Sequence, residues 1–249
     1  MKSAQKLLQY RWRRIVAIIA ASAGAVGLII TNPSSYEPVA NTSTRQAQAE
    51  ELENRTEDQL LAQDLLEKLP IKGRAPKTGY ERTEFYKNWP EIDGCNLRQR
   101  IIKRELQATA KLADDQCTVT GGEFDEPYTG QHLIFYQKSD LSKGLQIDHV
   151  VALSDAWQKG AQNLSAETRF ALATDPLNLL AVDSSANQQK SDGDAATWLP
   201  KNKVFRCQYI ARQISVKHKY NLWVTQAEHD AMSRVLQTCP NEPAVGIRE

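Results

Sequence analysis

The sequence predicts an α+β fold: a small antiparallel β-hairpin plus a helix, embedded in a mainly helical, disulfide-stabilised domain. Three observations carry that expectation. Two short apolar runs, Gln146–Leu153 and Asn178–Val182, have the length of strands, and each is followed by a polar, helix-forming stretch. Four further segments show helical spacing or caps, at 96–107, 165–174, 203–219 and 226–238. Finally, Cys95, Cys117, Cys207 and Cys239 lie too far apart in sequence for a C-x-x-C metal knuckle, and an even count in an oxidising compartment implies two disulfides. Three connectivities are open. Cys95–Cys117 with Cys207–Cys239 is favoured, because each bridge then joins neighbouring elements.

The N-terminus supplies the oxidising compartment. Lys2, Lys6, Arg11, Arg13 and Arg14 precede an uncharged stretch, Ile15 to Ile30, that is short for a membrane span of about 20 residues. Residues 1–31 therefore read as a signal peptide or an N-terminal membrane anchor, with contact to the membrane through 15–31 and the rest exported. Residues 32–78 read as an acidic tether and linker, in which Asn41 to about Leu69 is either a loose helix, on the spacing of Leu52, Leu60, Leu61, Leu65 and Leu66, or a solvated tether, before a linker with Gly73 and Pro76. The main domain is expected at 79–240 and a C-terminal tail at 241–249. The formal net charge is +1 over 249 residues, so the total demands no nucleic-acid partner, and any basic footprint must be local.

Within the domain, Tyr80, Phe85, Tyr86 and Trp89 form an aromatic cover for the core. The 96–107 helix carries Leu97, Ile101, Ile102 and Leu106 on one face. Arg98, Arg100, Lys103 and Arg104 lie on the other, as a solvated face or one turned to phosphate. Strands are expected at 116–120 and 132–136, with a turn-rich segment from Gly121-Gly122 to Gly130 between them. After the 146–153 run comes a short helix at 156–161, then a helix capped by Ser165 that runs to Thr174. The second run leads into a polar helix, 183–191, holding Asn187 and Lys190. Thr225 and Glu228 form a capping box for the last helix. Asp192 and Asp194 are candidates for orienting the site, with an N-cap role as the alternative for Asp194.

The chemistry centres on Asp148-His149. Neighbouring strand residues point to opposite faces, so the strand must end or bend there if both serve one site. Phosphodiester hydrolysis needs an activated water, charge relief on the phosphoryl oxygens and help for the leaving oxygen. Asp148 offers a carboxylate and Asn187 a carbonyl oxygen, donors that suit one hard divalent cation. His149 is then free as general base. Lys190 lies one helical turn after Asn187 and on the same face, where it could meet the phosphate. Arg98, Arg100, Arg206 and Arg212 are the candidate substrate-binding cations.

Ile147-Asp148-His149-Val150-Val151-Ala152-Leu153, then Asn178-Leu179, then Asn187-Gln188-Gln189-Lys190, resembles the HNH endonuclease motif of the ββα-metal fold. Tyr80-x-Arg82, Cys95-x-x-Arg98, Pro127-Tyr128-Thr129-Gly130, Trp198-Leu199-Pro200 and Arg206-Cys207 extend the likeness to the secreted bacterial HNH family, over roughly 79–239. The resemblance implies His149 as base and Asp148 and Asn187 as metal ligands. It makes Asn178 the residue that ties down the loop between the two strands. Asn at the third motif position favours Mg²⁺, with Mn²⁺ or Zn²⁺ as alternatives. It also implies the same cysteine pairing.

The expected function is thus an exported endonuclease with little sequence specificity, acting on DNA or also on RNA, with no protein partner implied. No base-reading basic helix is visible. The alternative is a non-catalytic nucleic-acid-binding or cell-surface module on the same scaffold. The sequence lacks His-Glu-x-x-His and Gly-x-Ser-x-Gly, which speaks against a zinc peptidase and a serine hydrolase.

Overall fold

The computed structural model describes residues 60–246. The signal or anchor segment at 1–31 and the tether up to residue 59 lie outside the described residues. Among the described residues no helix is long and apolar enough to cross a membrane.

The first element is helix α1 (Ala62–Leu66), which takes the helical of the two readings of this stretch. Leu60, Ala62, Leu65, Leu66 and Leu69 are all buried in one core cluster with Tyr209, Ile210 and Ile214. The leucines of 60–69 therefore serve as core, and only 70–78 runs over the surface as a strap. The far end of the chain packs here too: Ala62 N–H donates to the Glu242 carbonyl, and Ala244 N–H to that of Leu60. Residues 241–246 are thus part of the fold, because they pair with this segment.

Strands β1 (Glu91–Ile92) and β2 (Cys95–Asn96) form a minimal hairpin. Asp93 and Gly94 both have positive φ at its tip, which is why an Asp-Gly pair sits there. Asn96 caps helix α2 (Leu97–Leu106) by accepting from Arg98 N–H. A three-stranded antiparallel sheet follows, from β3 (Lys111–Leu112), β4 (Val119–Asp125) and β5 (His132–Phe135), in the order β3-β4-β5. Gly121-Gly122 is strand here, not turn. A Cβ on Gly121 would lie 2.6 Å from the Phe135 carbonyl oxygen, and one on Gly122 would lie 2.7 Å from Leu106 Cδ2. The two glycines let neighbouring segments close on β4.

Helix α3 (Lys138–Gly144) leads into β6 (Leu145–His149), then α4 (Leu153–Gln158) and α5 (Ala166–Thr174), capped by Ser165. Strand β7 (Leu179–Asp183) returns antiparallel to β6, with Asp148 opposite Leu180 and His149 opposite Leu179. Asp183 caps α6 (Ser184–Lys190) through Ala186 N–H. Helices α7 (Arg206–Lys219) and α8 (Gln226–Leu236) complete the fold, the latter capped by Thr225.

β7 separates two cores. Leu179 and Ala181 face α2 and the three-stranded sheet, while Leu180 and Val182 face α1, α7 and α8. A strand covered on both faces reads as an unbroken apolar run rather than an alternating one. The two disulfides, Cys95–Cys117 and Cys207–Cys239, pin β2 to the loop before β4 and α7 to the end of α8. With separations of 22 and 32 residues, each stabilises the fold by about 3 kcal/mol in the chain-entropy model.

Candidate active site

His149 is the last residue of β6, so the strand ends where the two side chains diverge. Asp148 is directed toward Tyr128 and α6. His149 points to the other side, under the aromatic cover. Its ring is stacked on Trp89, with centroids 6.0 Å apart and planes 7° apart, and tilted against Tyr86. The aromatics of 80–90 are therefore more than a cover for the core. Two of them form the wall of the histidine.

His149 Nε2 lies 2.9 Å from the Ala173 carbonyl oxygen. A carbonyl only accepts, so in the neutral ring Nε2 carries the hydrogen and Nδ1 keeps its lone pair. Burial, then the positive charge of Arg82, hold the imidazole down to a pKa of about 3, with the Ala173 contact acting in the opposite direction. At neutral pH the ring is uncharged, and Nδ1 is its one nitrogen with a free lone pair.

Asp148 is buried between two donors. The Lys190 ammonium bonds Oδ1 at 2.9 Å, and the Tyr128 hydroxyl bonds Oδ2. Burial still raises its pKa above the ordinary carboxylate value, against the pull of Lys190 and Tyr128. Asn187 donates from Nδ2 to Gln146 Oε1 at 2.9 Å. Its amide oxygen therefore points away from Gln146. Asp148, His149, Asn187 and Gln146 all border one open cleft of about 370 Å³. Asn178, fully buried, accepts from Val151 N–H at 2.8 Å and donates to the Leu172 carbonyl at 3.2 Å. It clamps both ends of the long β6–β7 connection, and α5, which carries Ala173, is held by the same residue.

The predicted cations fall elsewhere. Lys190 faces inward. Its ammonium is fully buried and used by Asp148 and the His149 carbonyl, so it is not available to a phosphate in the cleft. The reason lies in helix phase, since α6 is only two turns long and packs this face on β6. Arg98 is half-buried and donates to the Leu145 carbonyl. Arg100 is paired with Asp93, Arg206 donates to the Pro200 carbonyl, and Arg212 is held by the Leu177 carbonyl. None of the four lines the cleft. Among the described residues, the cations that do line it are Lys77 and Arg82.

Sequence reasoning assigned no site role to Arg82 or Tyr128, and to Trp89 only that of covering the core. Arg82 and Tyr128 each belong to a short motif of the family likeness, which was the available signal. Asp192 lines the cleft, bonded by Ser154 Oγ at 3.0 Å and Lys77 Nζ at 3.4 Å. Asp194 sits behind it in a separate charge cluster with Arg74 and Lys159.

The donor set suits a hard divalent cation. Asp148 and Asn187 offer oxygen only, and each Asp148 oxygen retains a second lone pair. The one group of three potential soft or acidic ligands among the described residues, Cys207, Cys239 and Glu242, has both sulfurs tied in a disulfide.

A strand pair and a following helix that bring a carboxylate, a neutral histidine and an amide to one cleft define a ββα site. Comparison with known proteins gives the family. The chain belongs to the family of the GmrSD restriction endonucleases, C-terminal domain, which matches residues 80–235. It is also 36% identical over 181 residues to an "Uncharacterized secreted protein" of Arthroderma benhamiae, covering 72% of this chain and 84% of that one. No solved structure matches the chain.

Proposed function

We propose that this protein is an exported, metal-dependent HNH endonuclease that hydrolyses phosphodiester bonds of DNA, with RNA as the alternative substrate, and with little sequence specificity. The observation that carries the reading is the placement of Asp148, His149 and Asn187 around one cleft, with His149 neutral and its Nδ1 free of hydrogen. The nuclease family and the two disulfides support it. The name of the fungal relative supports export.

In this reading His149 Nδ1 takes the proton of the attacking water. Trp89 and the Ala173 carbonyl hold the ring so that Nδ1 stays aimed. Such a base is worth about 10²–10⁴-fold in rate. Asp148 and Asn187 would hold one Mg²⁺, with Mn²⁺ or Zn²⁺ as alternatives. Bound there, the ion would relieve charge on the phosphoryl oxygens and aid the leaving oxygen. Tyr128 and Lys190 fix the direction of the Asp148 carboxylate.

One observation favours the non-catalytic alternative: both Asp148 oxygens already have a partner. Supercoiled plasmid incubated with the full chain decides between them. Nicking with Mg²⁺ that stops in EDTA and in His149→Ala is expected. A protein that is stabilised by the metal but cuts no DNA or RNA would instead be the binding module.

A further inference from the structure

We propose that Arg82 is the phosphate clamp of the cleft, binding the backbone phosphodiester of a nucleic acid beside His149. The inference rests on the nuclease reading above and assigns the part that Lys190 and the four candidate arginines leave open. A phosphodiester carries a negative charge and needs a cation on the cleft wall. Lys77 and Arg82 are the candidates, and they differ in what they already hold. Lys77 pairs with Asp192 at 3.4 Å, so its charge is partly matched. Arg82 makes no ion pair among the described residues. Its Nη2 donates to the Tyr86 hydroxyl, and its guanidinium lies 5.3 Å from the centre of that ring.

That contact positions the group without neutralising it. Tyr86 is buried next to His149, and Arg82 belongs to a one-turn 3₁₀ segment (Arg82–Glu84) that ends on buried Phe85. The guanidinium is therefore held at a fixed place on the rim. One N–H is directed at Tyr86, and the remaining donors of its planar fork can meet phosphate oxygens. Tyr86 also packs against His149, and Arg82 and His149 line the same cleft, so the guanidinium's positive charge acts beside the imidazole. An anion bound in the cleft complements that charge.

The test is binding of a short DNA duplex by the full chain in EDTA, followed by fluorescence anisotropy across a salt series. Each lost phosphate contact lowers the slope of log affinity against log salt by about 0.9. Arg82→Gln should lower the slope by about that amount, and Arg82→Lys should keep it. Tyr86→Phe removes the hydroxyl but leaves the charge, so it should also keep the slope. A wild-type slope in Arg82→Gln, or an equal loss in Tyr86→Phe, overturns the clamp. Because EDTA removes the need for cleavage, this result stands apart from the nuclease reading, which wild-type nicking with Mg²⁺ tests separately.

Discussion

Two carboxylates in this fold are both closed to solvent, yet their pKa values move in opposite directions. Asp148 and Asp194 are 5% and 3% exposed, and each meets a buried lysine, at 2.9 and 2.8 Å. Burial raises Asp148 above the ordinary carboxylate range. Burial pushes Asp194 up as well, but there Lys159, Arg74 and Thr197 win and bring it down to about 2. Two things differ: Asp148 lies deeper among protein atoms, and Asp194 has more cations around it. Asp194 belongs to a closed group in which Lys159, Lys217 and Arg74 face Asp155, Asp194 and Glu228. Three positive charges meet three negative ones, and the group ties α4, α7, α8 and the 70–78 strap together. Asp148 has one lysine and a neutral tyrosine. A buried carboxylate whose charge is less fully matched, at the edge of a cleft, can take a further cation, and such perturbed groups cluster at functional sites.

The comparison can be broken at either cluster. At the cleft, His149→Ala should cut nicking per folded molecule by about 10²–10⁴-fold, equal to about 3–5 kcal/mol in the barrier, beyond the modest fall in thermal midpoint that loss of a buried, hydrogen-bonded ring brings. Cleavage at the wild-type rate would remove His149 from the chemistry. At the closed cluster the effect should move to stability. Lys159→Met leaves Asp155, Asp194 and Glu228 short of one buried cation and should cost about 3–5 kcal/mol in urea unfolding. The specific activity of the fraction that remains folded should be unchanged. If instead activity falls faster than folded protein, the cluster reaches the site and the two regions are not separate.

A smaller effect sharpens the cleft side. Tyr128→Phe removes a hydrogen bond to a charged group, worth about 1.5–3 kcal/mol. Because the hydroxyl holds Asp148 Oδ2, the variant should need more Mg²⁺ for half-maximal nicking, with the rate at saturating metal less affected. An unchanged metal requirement would make Tyr128 a core residue only. Its ring packs against Trp198 and Tyr209, and the phenylalanine keeps those contacts.

The two regions also differ in how far the sequence reveals them. β6, β7 and α6 are local, and their side chains follow from a period of two, a cap at Asp183 and a polar helix. Asp148, His149 and Asn187 could be picked out together because their spacing resembles a known motif. The direction of Lys190 could not be read, because one turn of helix phase decides whether an ammonium faces solvent or the strand beneath it. Long-range partners are invisible in the same way. Tyr128 reaches Asp148 and Arg74 reaches Asp194 from distant parts of the chain, and no periodicity encodes that. Leu60 to Leu69 could be read as helix or as tether, because the partners that decide it, Tyr209 and Ile214, come about 150 residues later. The disulfide pairs were legible because each joins elements that are neighbours in sequence as well as in space.

Acid offers the finest test of the two carboxylates. Asp194 titrates at about 2 in the folded chain, against about 3.9 for an unfolded aspartate. A depressed value means that its ion pairs stabilise the fold fully above pH about 5 and lose that contribution as pH falls toward 2. The linked stability is of the order of 2 kcal/mol, since one pKa unit corresponds to 1.36 kcal/mol. Asp194→Asn should therefore be less stable than wild type at pH 7, and the gap should close between pH 5 and 2. Asp148 works in the other direction, because a raised value means that acid relieves the cost of burying its charge. A stability gap between wild type and Asp194→Asn that stays constant from pH 7 to pH 2 would show that Asp194 acts through its hydrogen bonds to Thr197 and Ala196 rather than through its charge.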